Sequence, residues 1–118
     1  GGYGFSGNQI ISVNLPDLEQ IGRNCFCDCN NLKNFAAEQL KNIQFEAFQN
    51  CSLSQLFLPS LISVEQRGLK NCKQLKSFSA PKLQKIGQSC FSNCPRLKSI
   101  ECDHLRADKF ICTQYFGF

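Results

Sequence analysis

Hydrophobic residues recur along the chain at fixed intervals. The clearest row consists of leucines spaced 22, 21, 22 and 22 residues apart: Leu18, Leu40, Leu61, Leu83 and Leu105. Seven further apolar rows keep the same frame, and in the first four repeats none of the eight rows holds a charged, amide or hydroxyl side chain. This periodicity predicts a solenoid, in which successive turns of chain stack and bury a continuous core.

The hydrophobic period changes within each repeat. The stretch Phe78-Ser79-Ala80 alternates between inward and outward positions, which predicts a strand. Proline follows the last inward position of the strand in three repeats, at Pro16, Pro59 and Pro81. Because proline lacks a backbone donor, we expect the strand to end there. The inward positions Ile86, Cys90, Phe91 and Cys94 recur at intervals of four, one and three, which is typical of one face of a short helix.

The predicted fold is therefore an α/β solenoid with a parallel sheet on one face and short helices or turns on the other. At 118 residues the chain fits one domain, residues 1–118, with about five repeats of 21–22 residues. We place the repeats near 10–31, 32–52, 53–74, 75–96 and 97–118, and the last is degenerate because Asp108 occupies an apolar row. The chain begins Gly1-Gly2 and lacks methionine, so we interpret it as a processed or excised piece of a longer product.

The fourth repeat carries the most complete signature. Residues 75–94 read LKSFSAPKLQKIGQSCFSNC. This pattern resembles the BspA-like, treponemal class of leucine-rich repeat, whose units read L-x-x-I-x-L-P-x-x-L-x-x-I-G-x-x-A-F-x-x-C. The resemblance covers about residues 10–105, with Cys25 and Cys90 at the usual alanine position and Gly68-Leu69 in place of Ala-Phe. It implies surface-exposed or secreted proteins of bacteria and protists that mediate adhesion and protein contacts.

Nine cysteines would suggest a disulfide scaffold or a metal site, but the repeat frame gives another interpretation. Eight fall on inward rows: Cys25, Cys29, Cys51, Cys72, Cys90, Cys94, Cys102 and Cys112. Parallel stacking points these side chains alongside one another, so we predict reduced, buried thiols that behave as small hydrophobic groups. Cys25, Cys27 and Cys29 are too closely spaced for a usual zinc site. Cys27 falls on an outward row, which makes it the candidate reactive thiol.

The outward positions of the strands form a predicted binding strip, because stacked strands display one side chain per repeat in register. Its candidate residues are Asn14, Asn34, Gln55, Phe57, Ser77, Ser79, Ser99 and Glu101. A large aromatic residue in a polar strip is the kind of anchor that dominates interface energetics, so Phe57 is the leading candidate. The alternative is that Phe57 packs beneath a neighbouring loop, since scattered apolar residues are common on surfaces.

The net charge of +4 conceals an uneven distribution. From residue 70 onward there are nine basic and three acidic residues, whereas the preceding part has four basic and six acidic residues. One interpretation is simple drift in the composition of solvated faces. The other is that a basic end, with Lys76, Lys82 and Lys98 as candidates, meets an acidic partner or the opposite end of another copy. Nucleic acid is a weaker candidate because the aromatic residues fall mostly on core rows.

Catalytic chemistry has little support in the sequence. The single histidine, His104, has no Ser or Cys placed to use it, and no phosphate loop, paired-carboxylate motif or nucleophile elbow occurs. No apolar run is long enough to cross a membrane. We therefore predict a protein that is not an enzyme, has no cofactor or metal, and does not insert into a membrane.

The predicted function is a non-catalytic protein-binding or adhesion module with a protein or glycan partner. The alternative is an assembly unit that joins end to end through open solenoid ends, where the terminal residues Phe110, Ile111, Tyr115, Phe116 and Phe118 would cover the core or join a neighbour. The family resemblance favours a cell-surface or secreted location, whereas unpaired core thiols are equally at home in a reducing cytoplasm.

Overall fold

The computed structural model describes residues 9–102, which form about four turns of a solenoid built from short strands. Each complete turn contributes a three-residue strand and then a two-residue strand. In chain order the strands are β1 Ser12–Asn14, β2 Gln20–Ile21, β3 Asn34–Ala36, β4 Asn42–Ile43, β5 Gln55–Phe57, β6 Ser63–Val64, β7 Ser77–Ser79, β8 Lys85–Ile86 and β9 Ser99–Glu101. Most are bounded by turn residues, which keeps the strands short.

The two kinds of strand form separate parallel sheets along the solenoid axis. The two-residue strands make one continuous sheet in the order β2-β4-β6-β8, whereas the three-residue strands divide into β1-β3 and β5-β7-β9. The register places equivalent repeat positions side by side, such as Val13 with Phe35 and Phe78 with Ile100. The predicted stacking of repeats and the predicted parallel sheet are therefore confirmed.

Of the short helices or turns expected on the back of each repeat, residues 9–102 contain the turns and no helix. Pairs of residues four positions apart adopt a left-handed backbone with φ between 55° and 65°, beginning with Asn24 and Asp28. Asn and Asp tolerate this conformation better than most residues, and it interrupts a right-handed helix. Stacking also competes for the backbone amides: Phe26 N–H donates to Ala47 O of the next turn at 2.8 Å, whereas Cys25 N–H bonds locally to Gly22 O. Every second amide thus joins neighbouring turns instead of closing a helix.

The core consists of the predicted apolar rows. Leu40, Leu61 and Leu83 are fully buried, and no polar or charged residue of the described chain belongs to the buried class. Two phenylalanines of successive turns stack, Phe26 on Phe48 with ring centroids 5.4 Å apart, and Phe35 meets Phe48 edge-on at 4.9 Å. Such rows bury apolar surface only when neighbouring turns are present, so stability is shared along the axis.

The cysteine row also contributes hydrogen bonds between turns. The thiols of Cys51, Cys72 and Cys94 donate to backbone carbonyl oxygens of the preceding turn at 3.0–3.2 Å. Within residues 9–102 the cysteines are not joined by disulfides. A sulfhydryl proton is needed for this donation, so the reduced form is the one that fits the core.

In each turn of the solenoid a corner joins the buried cysteine to the leucine that precedes the next three-residue strand. One of these corners is a residue shorter than the others in the described chain. Three corners read Cys-x-x-Leu and close with a hydrogen bond from the leucine N–H to the cysteine O, as in Leu32 to Cys29 at 3.2 Å. The remaining corner is Cys51-Ser52-Leu53, which has one intervening residue and lacks this turn. It is also the corner between β3 and β5. These are neighbouring three-residue strands, hereafter the long strands, but they lie in separate sheets.

Candidate functional site

The predicted binding strip lies on the outward face of the long strands. Asn14, Asn34, Gln55, Phe57, Ser99 and Glu101 are exposed, and Ser77 and Ser79 are half-buried. The strand register pairs Gln55 with Ser77 and Phe57 with Ser79, so these four side chains occupy neighbouring positions on one face. The alternation predicted from the sequence therefore assigns the correct face to every member of the strip.

Phe57 is 60% exposed at the centre of this face. The residues on either side of it in the chain, Leu56 and Leu58, are buried in the core. The alternative that Phe57 packs beneath a neighbouring loop is therefore wrong. An exposed aromatic ring held on a packed strand supplies a large contact area whose backbone is already ordered.

A groove of about 690 Å³ runs along this face. Its walls come from four successive long strands: Ser12, Val13, Asn14, Asn34, Phe35, Ala36, Gln55, Leu56, Phe57, Ser77 and Ser79. Six of the eight predicted strip residues line it. Ser99 and Glu101 do not, although Ser79 Oγ lies 3.5 Å from Glu101 Oε2, within hydrogen-bond distance.

The groove spans the place where the long sheet is divided. At the other strand pairs, an amide after one strand donates to the next, as Leu15 N–H does to Ala36 O and Leu58 N–H to Ser79 O, both at 2.9 Å. Within residues 9–102 the equivalent Ala37 N–H makes no such bond to Phe57 O. In the sheet of two-residue strands, β4 and β6 of the same two turns remain paired. The solenoid therefore stays stacked there while the long sheet is interrupted along the groove.

Inserting one asparagine between Ser52 and Leu53 is expected to join β3 to β5. The insertion restores the spacing of the other three corners and so allows the missing turn and strand hydrogen bonds to form. We expect hydrogen exchange at the amides of Ala37 and Ser54 to slow at least about tenfold, measured by NMR at residue resolution. The substitution Ser52→Asn without insertion is the control and should leave both amides fast. A folded insertion variant with unchanged exchange would contradict this account of the divided sheet.

A second, polar cavity of about 360 Å³ lies at the short corner and was not anticipated from the sequence. Residues from three successive turns line it: Asp28, Asn30, Asn50, Cys51, Ser52, Asn71, Lys73 and Gln74. Asn50 Nδ2 donates to Asp28 Oδ1 at 2.5 Å, and Asn93 Nδ2 donates to Asn71 Oδ1 at 2.8 Å. The recurrence of Asp or Asn immediately before the cysteine of each corner was the available signal for this polar row.

The basic-end candidates Lys76, Lys82 and Lys98 are exposed and do not line the groove. Lys76 and Lys98 occupy equivalent positions of adjacent turns, joined by the hydrogen bond from Lys98 N–H to Lys76 O at 2.9 Å. Two ion pairs are found within residues 9–102, Lys41 with Glu19 at 3.2 Å and Arg67 with Glu46 at 3.6 Å. Neither involves the basic-end lysines, whose role in meeting an acidic partner stays a prediction.

The prediction that Cys27 is an outward, reactive thiol is wrong. Its side chain is only 7% exposed. Burial raises the pKa of Cys27 to about 11, and the negative charge of the adjacent Asp28 adds to the increase. A thiol with this pKa is almost entirely protonated at neutral pH and is a poor nucleophile. The outward assignment failed because turns, not a regular period, set the direction of this side chain between the left-handed residues Asn24 and Asp28.

Several predicted features fall outside the described residues. His104, Leu105, Cys112 and the candidate end residues of the tail, Phe110, Ile111, Tyr115, Phe116 and Phe118, belong to the segment after residue 102. In residues 9–102, no three His, Cys, Asp or Glu side chains are grouped as metal ligands would be. Across the same residues there is no helix with the length and hydropathy needed to span a bilayer.

The stacked parallel strands, the leucine rows and the outward sheet face define a leucine-rich-repeat solenoid. A family model described as the BspA type leucine rich repeat region, of six copies, matches residues 1–115. The chain therefore belongs to the BspA-type leucine-rich-repeat family, as the sequence resemblance predicts.

Comparison with solved structures finds a leucine rich cell surface protein from Faecalibacterium prausnitzii A2-165. It is 15% identical, with a TM-score of 0.43, over 78% of this chain and 41% of the other. The chain thus spans less than half the length of that structure. None of the curated proteins compared matches this chain in sequence.

Proposed function

We propose that this chain is a non-catalytic recognition module of the adhesion or protein-binding type, which contacts its partner through the outward face of the long strands. The observation that carries this proposal is the groove beside Phe57, where six side chains of the predicted strip line one opening. Membership of a repeat family that suggests interaction or adhesion modules supports the same function. In such folds the core pattern specifies the scaffold, and the exposed strand positions are free to specify the partner.

The long strands bury their inward side chains in the core and expose their outward side chains, which supports this proposal. The inward residues of β5 and β7, Leu56 and Phe78, are buried, and they fix the backbone from which Phe57 and Ser79 project. Because the face is ordered before binding, little conformational entropy is lost when a partner is bound. A rigid aromatic residue surrounded by polar side chains is the arrangement found at interface hot spots.

Replacing Phe57 with alanine is expected to weaken partner binding at least about tenfold, because truncating a hot-spot residue costs about 2 kcal/mol or more, and tenfold corresponds to about 1.4 kcal/mol. The measurement is the affinity of peptides selected from a random-peptide display library on the wild-type chain. Ile62→Ala is the matched control, since Ile62 is a large exposed residue outside the groove. If selected peptides bind the Phe57 variant as tightly as the wild type, the long-strand face is not the recognition surface.

The alternative function, end-to-end assembly, rests on residues of the tail beyond residue 102 and stays a prediction. Sedimentation of the full chain over a range of protein and salt concentrations tests it, because association through basic and acidic ends weakens as salt screens the charges. A chain that sediments as a monomer under all these conditions would exclude it.

A further inference from the structure

We propose that the groove beside Phe57 binds a neutral oligosaccharide. This inference deepens the proposed function, on which it rests, because it specifies the chemistry of the partner at the groove. It is carried by the composition of the groove lining, the size of the groove and the direction in which its side chains project.

The lining of the groove carries no charged side chain among the described residues. The eleven lining residues that belong to residues 9–102 are all uncharged, although charged residues make up 19% of the whole chain. Lys33 and Lys76 lie one position before β3 and β7, outside the lining, and Glu101 lies beyond Ser79 at the other side. An ionic ligand inside the groove would lose water without meeting a counter-charge, which is costly. A ligand without charge matches the lining.

The polar groups of the groove supply the second argument. Asn34 and Gln55 carry amide side chains that both donate and accept hydrogen bonds, and Ser12, Ser77 and Ser79 carry hydroxyls with the same dual capacity. Sugar hydroxyls likewise donate and accept at the same oxygen. Protein-protein interfaces, by contrast, are depleted in serine and alanine and enriched in arginine and methionine. No arginine is found among the described residues that line the groove.

Phe57 completes the match. A pyranose ring presents carbon-hydrogen bonds on a face that packs against an aromatic ring, while its hydroxyls point outward around its edge. The exposed ring of Phe57 stands beside Gln55 on the same strand and beside Ser79 on the next. An apolar ring flanked by hydrogen-bonding groups is therefore complementary to a sugar unit on both counts.

The geometry disfavours an added peptide strand. Peptides commonly join a sheet at a free edge, where backbone groups give most of the affinity. β3 and β5 are unpaired beside the groove, but their turns stay in contact and stacked through β4 and β6, which leaves no room for a further strand between them. The groove opens onto the face of the strands, where side chains of alternate positions project. Its volume of about 690 Å³ is that of a small-ligand site, and equivalent polar positions recur about every 4.8 Å along the axis. A short oligomer with repeating units fits this spacing.

The test is a binding assay of the full chain against neutral oligosaccharides of glucose, galactose, mannose and N-acetylglucosamine, beside sulfated and sialylated oligosaccharides. We expect at least one neutral oligosaccharide to bind, with an affinity that does not change as salt is raised. Phe57→Ala should weaken this binding at least about tenfold, whereas Phe57→Tyr should retain it. Ile62→Ala is the control with unchanged affinity, and thermal unfolding of each variant establishes that it is folded. Gln55→Leu, which removes hydrogen-bonding groups but keeps the size, should also weaken binding.

Two results would overturn the oligosaccharide proposal. One is that no neutral oligosaccharide binds although display-selected peptides bind and depend on Phe57; the recognition face would then stand and its ligand would be a peptide. The other is that only sulfated or sialylated oligosaccharides bind, with binding lost in high salt and in the pair Lys76→Ala and Lys98→Ala. If neither peptides nor oligosaccharides depend on Phe57, both this inference and the proposed function fail.

Discussion

Replacing Phe48 with alanine is expected to lower the free energy of unfolding by about 3–5 kcal/mol, the range for truncating a buried phenylalanine. The Phe48 side chain is fully buried and contacts the rings of Phe26 and Phe35. Alanine leaves a cavity between two turns and removes both aromatic contacts. The Phe48 carbonyl oxygen, which accepts a hydrogen bond from the Cys72 thiol, is unchanged by this substitution, so the loss reports on the side chain.

Chemical denaturation of the wild type and the variant measures the effect. Phe57→Ala is the matched control, because the same side chain is removed from a position that is 60% exposed. It should change the free energy of unfolding by less than about 0.5 kcal/mol. Equal losses for the two phenylalanines would mean that the rows identified as the core do not carry the stability of the solenoid.

The second large effect is a loss of stability above about pH 9. Burial raises the pKa of the Cys51 and Cys90 thiols above the ordinary value of 9.0. The unfolded chain therefore releases these protons while the folded chain retains them. Because the unfolded state binds fewer protons, the free energy of unfolding falls as the pH rises. Each of these two thiols contributes about 1.4 kcal/mol per pH unit, and Cys27, whose pKa is raised to about 11, adds a similar amount up to that pH. We therefore expect a slope of roughly 4 kcal/mol per unit between about pH 9 and 11.

Denaturant unfolding at a series of pH values, with a reductant present, measures this slope. Cys90→Ala is the informative variant, since alanine already occupies the equivalent position at Ala47. It should reduce the slope between about pH 9 and 11 by about a third. The interaction between the neighbouring side chains of Cys72 and Cys94 raises the pKa of Cys72 and lowers that of Cys94, so their effects on the slope partly cancel. An identical pH dependence in the wild type and the Cys90 variant would contradict the assignment.

The stacking of repeats was predictable because every core position recurs at a constant interval. A buried row such as Leu40, Leu61 and Leu83 has to keep its spacing if each side chain is to meet its counterpart. The outward face followed from strand alternation, which sets side-chain direction by parity alone. These two regularities placed Phe57 and Gln55 on the correct face without further information.

The back of each turn was harder to predict, because intervals of four, one and three fit both a short helix and a pair of turns. The distinguishing signal was local: Asp28, Asn50, Asn71 and Asn93 stand at one position of successive turns, and all four adopt the left-handed backbone. Asp and Asn are the residues, after glycine, that most readily do so. Recognising this row would have predicted the turns and avoided the error at Cys27.

The groove depends on geometry that the sequence shows only indirectly. The single interval of 21 residues is visible in the sequence, but its effect on strand pairing depends on where the missing residue lies. It lies between Cys51 and Leu53, directly before β5, so it affects the long strand and leaves β4 paired with β6. The interval between the leucines alone does not show whether the long strands or the two-residue strands lose their pairing, because the apolar rows are preserved in both cases.

The short corner also bears on how such a surface can change over time. Cys51 and Leu53 remain buried in the core even though the corner between them is shorter, so the scaffold tolerates the loss of one codon. An insertion or deletion of this size at another corner would divide the sheet at a different height. In a family of stacked repeats, the location of a binding crevice can therefore shift without any substitution in the hydrophobic interior.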